Sequence, residues 1–137
     1  MRVMLRNAKL GIVSIFLVWM LVSLAFGGAA EEWMIKESLD VTVYSTETEI
    51  MDSTLTDKKY NRKFEIHNGE SEIIVTAWGS NDEVNWEVMD TKTIGTQNVE
   101  WLILGKNHFW YIKLTGKTIG FPDPTSNVDA YLFYRVL

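Results

Sequence analysis

A chain of 137 residues with a formal charge of −5 and no cysteine has the length of one domain once any targeting segment is set aside. The missing thiol excludes a disulfide framework, a lipid-modified cysteine and a cysteine nucleophile. All 18 acidic residues follow residue 30, against ten basic ones there, the thirteen of the chain less Arg2, Arg6 and Lys9; such a balance repels phosphate backbones and anionic lipid heads, and no nucleic acid is expected as a partner.

The first element in chain order is apolar. Residues 10–30 are uncharged and lie between the bases Arg2, Arg6 and Lys9 and the acids Glu31 and Glu32. As a helix rising about 1.5 Å per residue, this run covers roughly 31 Å, the hydrocarbon thickness of a bilayer. Gly28 and Ala30 fit the −3 and −1 positions of a cleavage site, whereas the apolar core 10–26 is longer than the usual signal h-region of about 7–15 residues. Residues 1–30 are therefore expected as a signal peptide or as an N-terminal membrane anchor. Both place the N-terminus in the cytoplasm and the remainder outside, so the expected location is extracytoplasmic, secreted or anchored in the membrane through residues 10–30.

Residues 31–40, EEWMIKESLD, are polar and read as a stalk or a short helix. From residue 41 to residue 137 the apolar positions fall on a period of two or in short β-rich runs between turn residues. Strands are expected at 41–45, 62–67, 72–78, 85–91, 99–104, 109–114 and 128–136. Residues 46–61, with Ile50, Met51 and Leu55, fit either an anchored loop or one irregular strand. Asn68-Gly69 predicts a type I′ hairpin turn that would set Phe64 opposite Ile73. Residues 120–127, GFPDPTSN, hold both prolines and cannot form a central strand. The fold class that follows is all-β, an antiparallel two-sheet sandwich or jelly roll over residues 41–137, preceded by one N-terminal hydrophobic helix. Its expected core contains Ile74, Trp78, Trp86, Leu102, Ile112, Leu114 and Leu132.

The stretches WGSNDEVNWEVMDTKTI, FWYIKLTG and VDAYLFYRVL together resemble the second half of discoidin-like (coagulation factor 5/8 type C) jelly-roll domains, over about residues 73–137. The matching positions are Ser80, Asn81 and Asp82 in a turn, Trp86 after it, and Tyr111, Ile112, Lys113 and Leu114 in a later strand. Glu83 stands where that family has glycine, Lys113 where it has arginine, and the family's disulfide is absent. The resemblance implies a jelly roll, an architecture whose members commonly bind glycans or lipid heads.

Chemistry-bearing patterns are few. His67 and His108 each lie beside an expected turn, neither at metal-ligand spacing, and no nucleophile elbow, phosphate loop or His-Glu-x-x-His helix is present. No enzyme activity, cofactor or metal is therefore expected. Asp82, Glu83 and Asp90, and separately Asp123 and Asp129, are oxygen ligands of the kind calcium takes, but read as a solvated acidic rim. Recognition in sandwiches concentrates in loops at the ends of the sheets, which makes Asn81, Asp82, Glu83, His108, Trp110 and Asp123 the candidate ligand-binding residues. Their carboxylates favour a cationic, calcium-bridged or hydroxyl-rich ligand. An aromatic sheet face around Trp101 or Trp110 is the equal alternative. The expected function is non-enzymatic binding of a glycan or a surface protein. A second expectation is a filament or surface-layer subunit, self-assembled by residues 38–46 completing a neighbour's sheet.

Overall fold

A computed structural model describes residues 33–136; the expected apolar helix and its cleavage site lie outside the described residues. Eight strands follow in chain order: β1 (Trp33–Val43), β2 (Thr48–Leu55), β3 (Arg62–Asn68), β4 (Ile73–Ser80), β5 (Glu87–Ile94), β6 (Val99–Gly105), β7 (Tyr111–Thr118) and β8 (Ser126–Arg135). One four-stranded sheet has the order β1-β8-β3-β6 and the other β2-β7-β4-β5. The β3 ladders to β6 and β8, and the β4 ladders to β5 and β7, are antiparallel. The chain changes sheet at every connection except β4 to β5, which gives the eight-stranded jelly roll.

Period two sorts each strand into an inner and an outer half. Inside lie Phe64 and Ile66 of β3, Ile73, Val75 and Ala77 of β4, Leu102 of β6, Ile112 and Leu114 of β7, and Val128, Ala130 and Leu132 of β8. Two sheets packed about 10 Å apart leave room for aliphatic chains and a few phenyl rings. No tryptophan among the described residues belongs to this core. The expected core is thus corrected in part. Leu102, Ile112, Leu114 and Leu132 are buried, but Ile74 and Trp78 take the outward parity of β4, and Trp86 precedes β5; all three are half-buried.

Three expectations about elements also change. Residues 33–40 are not a stalk or helix but the first part of β1, which pairs with β8 of the same chain. The open segment 46–61 supplies β2, which carries the buried Ile50 and Met51. Asn68-Gly69 is not a hairpin, because β3 and β4 belong to different sheets. Asn68 instead serves as a buried clamp at the crossing. Its Nδ2 donates to the carbonyls of Ser71 (2.7 Å), Ile94 (3.1 Å) and Gly95 (3.0 Å), and its Oδ1 accepts from Gly69 N and the Ser126 hydroxyl.

The two flanks of the sandwich are closed by lysines. Lys36 of β1 reaches the Asp52 carboxylate and the Thr54 hydroxyl of β2. On the other flank, Lys92 of β5 donates to the Trp101 carbonyl at 3.2 Å and pairs with Glu100 at 3.0 Å. Exposed pairs of this kind add little stability, but lysine on an edge strand blocks pairing with another chain. The jelly roll has two ends: connections 56–61, 81–86 and 106–110 meet at one, and connections 44–47, 69–72, 95–98 and 119–125 at the other.

Removal of the Asn68 side chain leaves several buried carbonyls without a donor, at a cost of about 1–3 kcal/mol. Asn68→Ala is therefore expected to lower Tm by roughly 5–15 °C in thermal denaturation, a larger drop than Asn85→Ala in the exposed turn.

Candidate ligand-binding face

The sequence-expected site residues divide between the two ends. Asn81, Asp82 and Glu83 form the β4–β5 turn, and the Asn81 side chain accepts from Trp110 N at 3.1 Å. The His108 ring stacks on Phe109 at 4.0 Å, and Lys58 lies 4.8 Å over the ring of Trp110. These five residues share one end. Asp123 does not join them, since the 119–125 connection is at the opposite end, and there Asp123 is exposed.

Within the turn the polar groups serve the backbone. The Asp82 carboxylate accepts from Val84 N (2.9 Å), Asn85 N (2.8 Å), Asn85 Nδ2 (2.7 Å) and the Ser80 hydroxyl (2.9 Å). The Asn85 and Val84 amides, followed by the two side-chain donors, hold this carboxyl well below the usual carboxylate range. Glu83 takes φ 60, the left-handed conformation that glycine adopts without strain, and it is the position where the resembled family carries glycine. The resembled segments converge here physically as well: Ser80 pairs with Tyr111 at the start of β7, and Lys113 lies 4.2 Å over Trp86. The shared pattern is thus a folding corner.

Residues 109–111 do not continue one strand as the sequence suggests. Phe109 N bonds the Asn107 side chain, and the Trp110 carbonyl accepts from Thr56 N at 2.8 Å, so the backbone leaves the ladder before β7. Phe109 turns into the core across Gly79, where a Cβ would meet the ring at 2.4 Å. Beneath this end, the fully buried Arg62 donates through Nη1 to the Phe109 carbonyl (2.6 Å) and the Thr56 hydroxyl (2.8 Å). Burial brings its pKa down to about 10, opposed by the nearby Asp57 carboxylate.

The outer face of the β1-β8-β3-β6 sheet has a different character. Register places Ile103, Lys63 and Phe133 in one row, Trp101, Glu65 and Tyr131 in the next, and Val99, His67 and Asp129 in the third. Val99, Trp101 and Ile103, alternate residues of β6, are 48%, 39% and 71% exposed on this face. Trp101 and Phe133 lie 5.9 Å apart, tilted by 38°, and Lys63 Nζ sits 4.4 Å over the first ring and 5.4 Å over the second. His67 packs edge-on against Tyr131 and bonds Glu65 at 2.6 Å. Burial, together with the Glu37 and Glu65 carboxylates, pushes the Tyr131 phenol above its ordinary pKa and keeps it a hydrogen-bond donor. His67, expected beside a solvated turn at the end of its strand, lies within β3, which runs on to Asn68, and belongs to this face.

The opposite sheet carries a smaller aromatic group. Lys113 lies between Trp86 and Trp78, 4.2 and 5.9 Å from their rings, and the Trp78 indole donates to the Thr115 hydroxyl at 2.8 Å. Thr115 in turn bonds the Glu47 carboxylate, so this group is internally satisfied. The face around Trp101 was one of the two alternatives read from the sequence. Lys63, Glu65, Glu37 and Tyr131 were not singled out there, although the alternations K-F-E-I-H in β3 and Y-L-F in β8 mark one inward and one outward half. Among the described residues, no three acidic or histidine side chains gather as metal ligands.

No family model and no curated protein sequence matches the chain. Among solved structures it is similar to tripeptidyl peptidase 2, with a TM-score of 0.53 and 10% identity over 79% of this chain and 10% of that one. It is also similar to the CBM36-1 domain of a multidomain xylanase from the hindgut metagenome of Trinervitermes trinervoides, with a TM-score of 0.48, 10% identity, and 74% and 96% of the two chains covered. A pilus subunit of Bacillus endospore appendages gives a TM-score of 0.47 and 9% identity over 81% and 95%. At these identities the likeness is one of fold: the β-sandwich that the discoidin resemblance implies is present, without a match specific to that family.

Two expectations follow from the turn. The folded pKa of Asp82 lies below its unfolded value, so its contribution to stability is complete above about pH 4 and is lost as pH falls through the folded value. A ¹³C NMR titration should place the Asp82 midpoint well under the ordinary value of about 3.9. Glu83→Gly relieves a left-handed residue at some cost in chain entropy and should raise stability by about 0.5–1 kcal/mol in denaturant unfolding; a loss would show that φ at residue 83 is not left-handed.

Proposed function

We propose that this chain is a non-enzymatic, extracytoplasmic binding module that holds a glycan on the outer face of the β1-β8-β3-β6 sheet. The observation that carries the reading is the Trp101–Phe133 pair, two rings side by side on a rigid sheet, partly exposed and framed by Glu65, His67 and the Tyr131 hydroxyl. Aromatic faces offer apolar area with only two torsions to freeze, and the flat, carbon-bound side of a sugar ring matches them. The polar neighbours supply donors and acceptors for ring hydroxyls. The resemblance to discoidin-like domains, whose architecture commonly serves ligand binding, supports the same class of function. The apolar segment 10–30 supports a position outside the cytoplasm, either released or held at the membrane.

The experiment is a glycan-array screen of the full chain in detergent or nanodiscs, followed by calorimetry with the best oligosaccharide. Trp101→Ala is expected to abolish retention while changing stability by about 1 kcal/mol or less, because the indole lies outside the core. Retention by Trp101→Ala and Phe133→Ala alike would remove this face from the function, and turnover of a bound glycan would overturn the non-enzymatic reading.

A further inference from the structure

We infer that the ligand of this face is a cationic amino sugar, bound with its ring on Trp101 and Phe133 and its ammonium beside the Glu65 and Glu37 carboxylates. The inference rests on the glycan-platform reading and adds the charge of the ligand. Three observations carry it.

The first is the arrangement of carboxylates. Glu65 stands directly between Trp101 and Tyr131 in the β6-β3-β8 ladder. Ser38 and Lys36 of β1 point towards β2, where they bond Ile50 O and Thr54, so the alternate residue Glu37 lies on the outer face. Its carboxylate acts on the Tyr131 phenol from the other side, as Glu65 does. Two acidic groups therefore flank one phenol that is itself held as a donor.

The second is an unmet hydrogen-bonding demand. Glu37 Oε2 is buried and has no hydrogen-bond partner among the described residues, whereas Glu65 already engages His67. A buried carboxylate oxygen without a donor is costly, and a ligand ammonium beside this carboxylate offsets its uncompensated charge. An anionic sugar, such as a uronate, would instead meet two carboxylates and a domain with an acidic balance.

The third is that the rings already hold a cation. Lys63 Nζ rests over both Trp101 and Phe133, which shows that the aromatic face and its surroundings accept a positive charge, in keeping with the negative face of the ring quadrupole. Lys63 is exposed, and a lysine stem has four rotatable bonds with which to move aside. A ligand ring would displace it, and the ligand ammonium would take over the attraction to the carboxylates.

The test uses two probes of equal length, fully deacetylated glucosamine oligomers and their N-acetylated counterparts, titrated into the full chain by calorimetry at low salt. The deacetylated oligomer is expected to bind about tenfold more tightly, an advantage that shrinks as salt rises. Glu37→Gln should remove most of that advantage without affecting the N-acetylated oligomer. Lys63→Ala should strengthen binding of the deacetylated oligomer, since it uncovers the rings and removes a like charge. Equal, Trp101-dependent binding of both oligomers would overturn the inference while leaving the platform reading intact. Tighter binding of the N-acetylated or of a uronate oligomer would overturn it as well. Failure of these oligomers to bind, with Trp101-dependent retention of another glycan on the array, would overturn the inference alone; failure of every glycan would remove both.

Discussion

The dry contact between the two sheets is the constraint on which the rest of the molecule depends. It is filled by isoleucine, leucine, valine, alanine and a few phenylalanine and methionine side chains, with Phe64, Ile66, Ile73, Leu114 and Leu132 completely buried. That filling leaves no site for an indole, so Trp33, Trp78, Trp86, Trp101 and Trp110 lie on faces and ends. Several of these are covered by a lysine: Lys58 over Trp110, Lys63 over Trp101, Lys113 over Trp86. A lysine stem shields apolar area and its ammonium stays in water. The domain thus keeps its largest aromatic surfaces outside without leaving them bare, and where the cover is a single flexible side chain, as at Trp101, a ligand can replace it.

Polar groups at the sheet crossings do the complementary work. A chain that passes from one sheet to the other at nearly every connection must satisfy backbone carbonyls that no ladder reaches. Asn68 does this at one end for Ser71, Ile94 and Gly95, and Arg62 does it at the other for Phe109. At the β4–β5 corner, within one sheet, Asp82 and Asn81 act in the opposite sense and accept from the backbone amides of Asn85 and Trp110. The end loops are therefore largely committed to holding the fold, and the proposed recognition is placed on the sheet face, whose backbone is already paired.

Much of the fold was legible in the sequence, and the reasons are specific. Alternation in β3, β4, β6 and β8 marks strands within one or two residues, β7 starts two residues later and ends four residues later than its expected strand, and a two-sheet sandwich follows from the strand number and the absence of a helical period. Parity is harder. In β4, IIVTAWGS, both halves contain large apolar residues, and only the packed partner decides that Ile73, Val75 and Ala77 go in while Ile74 and Trp78 go out. Asn68-Gly69 carries the local signature of a hairpin, yet tertiary structure uses Asn68 for its side chain and separates β3 from β4. Residues 33–40 of β1 read as a stalk or a short helix because an edge strand half-buried on both sides shows no clean alternation. The candidate face was half legible: Trp101 stood out as an aromatic of a sheet face, but Glu37, Glu65 and Tyr131 come from three strands that meet only through the β1-β8-β3-β6 order.

Binding on the β1-β8-β3-β6 face is the claim from which the ligand's class also follows, and chemical-shift mapping tests it most directly. In a ¹H–¹⁵N titration of the labelled chain with a bound oligosaccharide, the largest changes should fall on the Trp101 indole and on the amides of residues 65, 101, 131 and 133. The indoles of Trp78, Trp86 and Trp110 and the amides of residues 119–125 should stay in place. Largest changes at the 81–86 and 106–110 connections, or at Trp78 and Trp86, with an unmoved Trp101 indole, would contradict it.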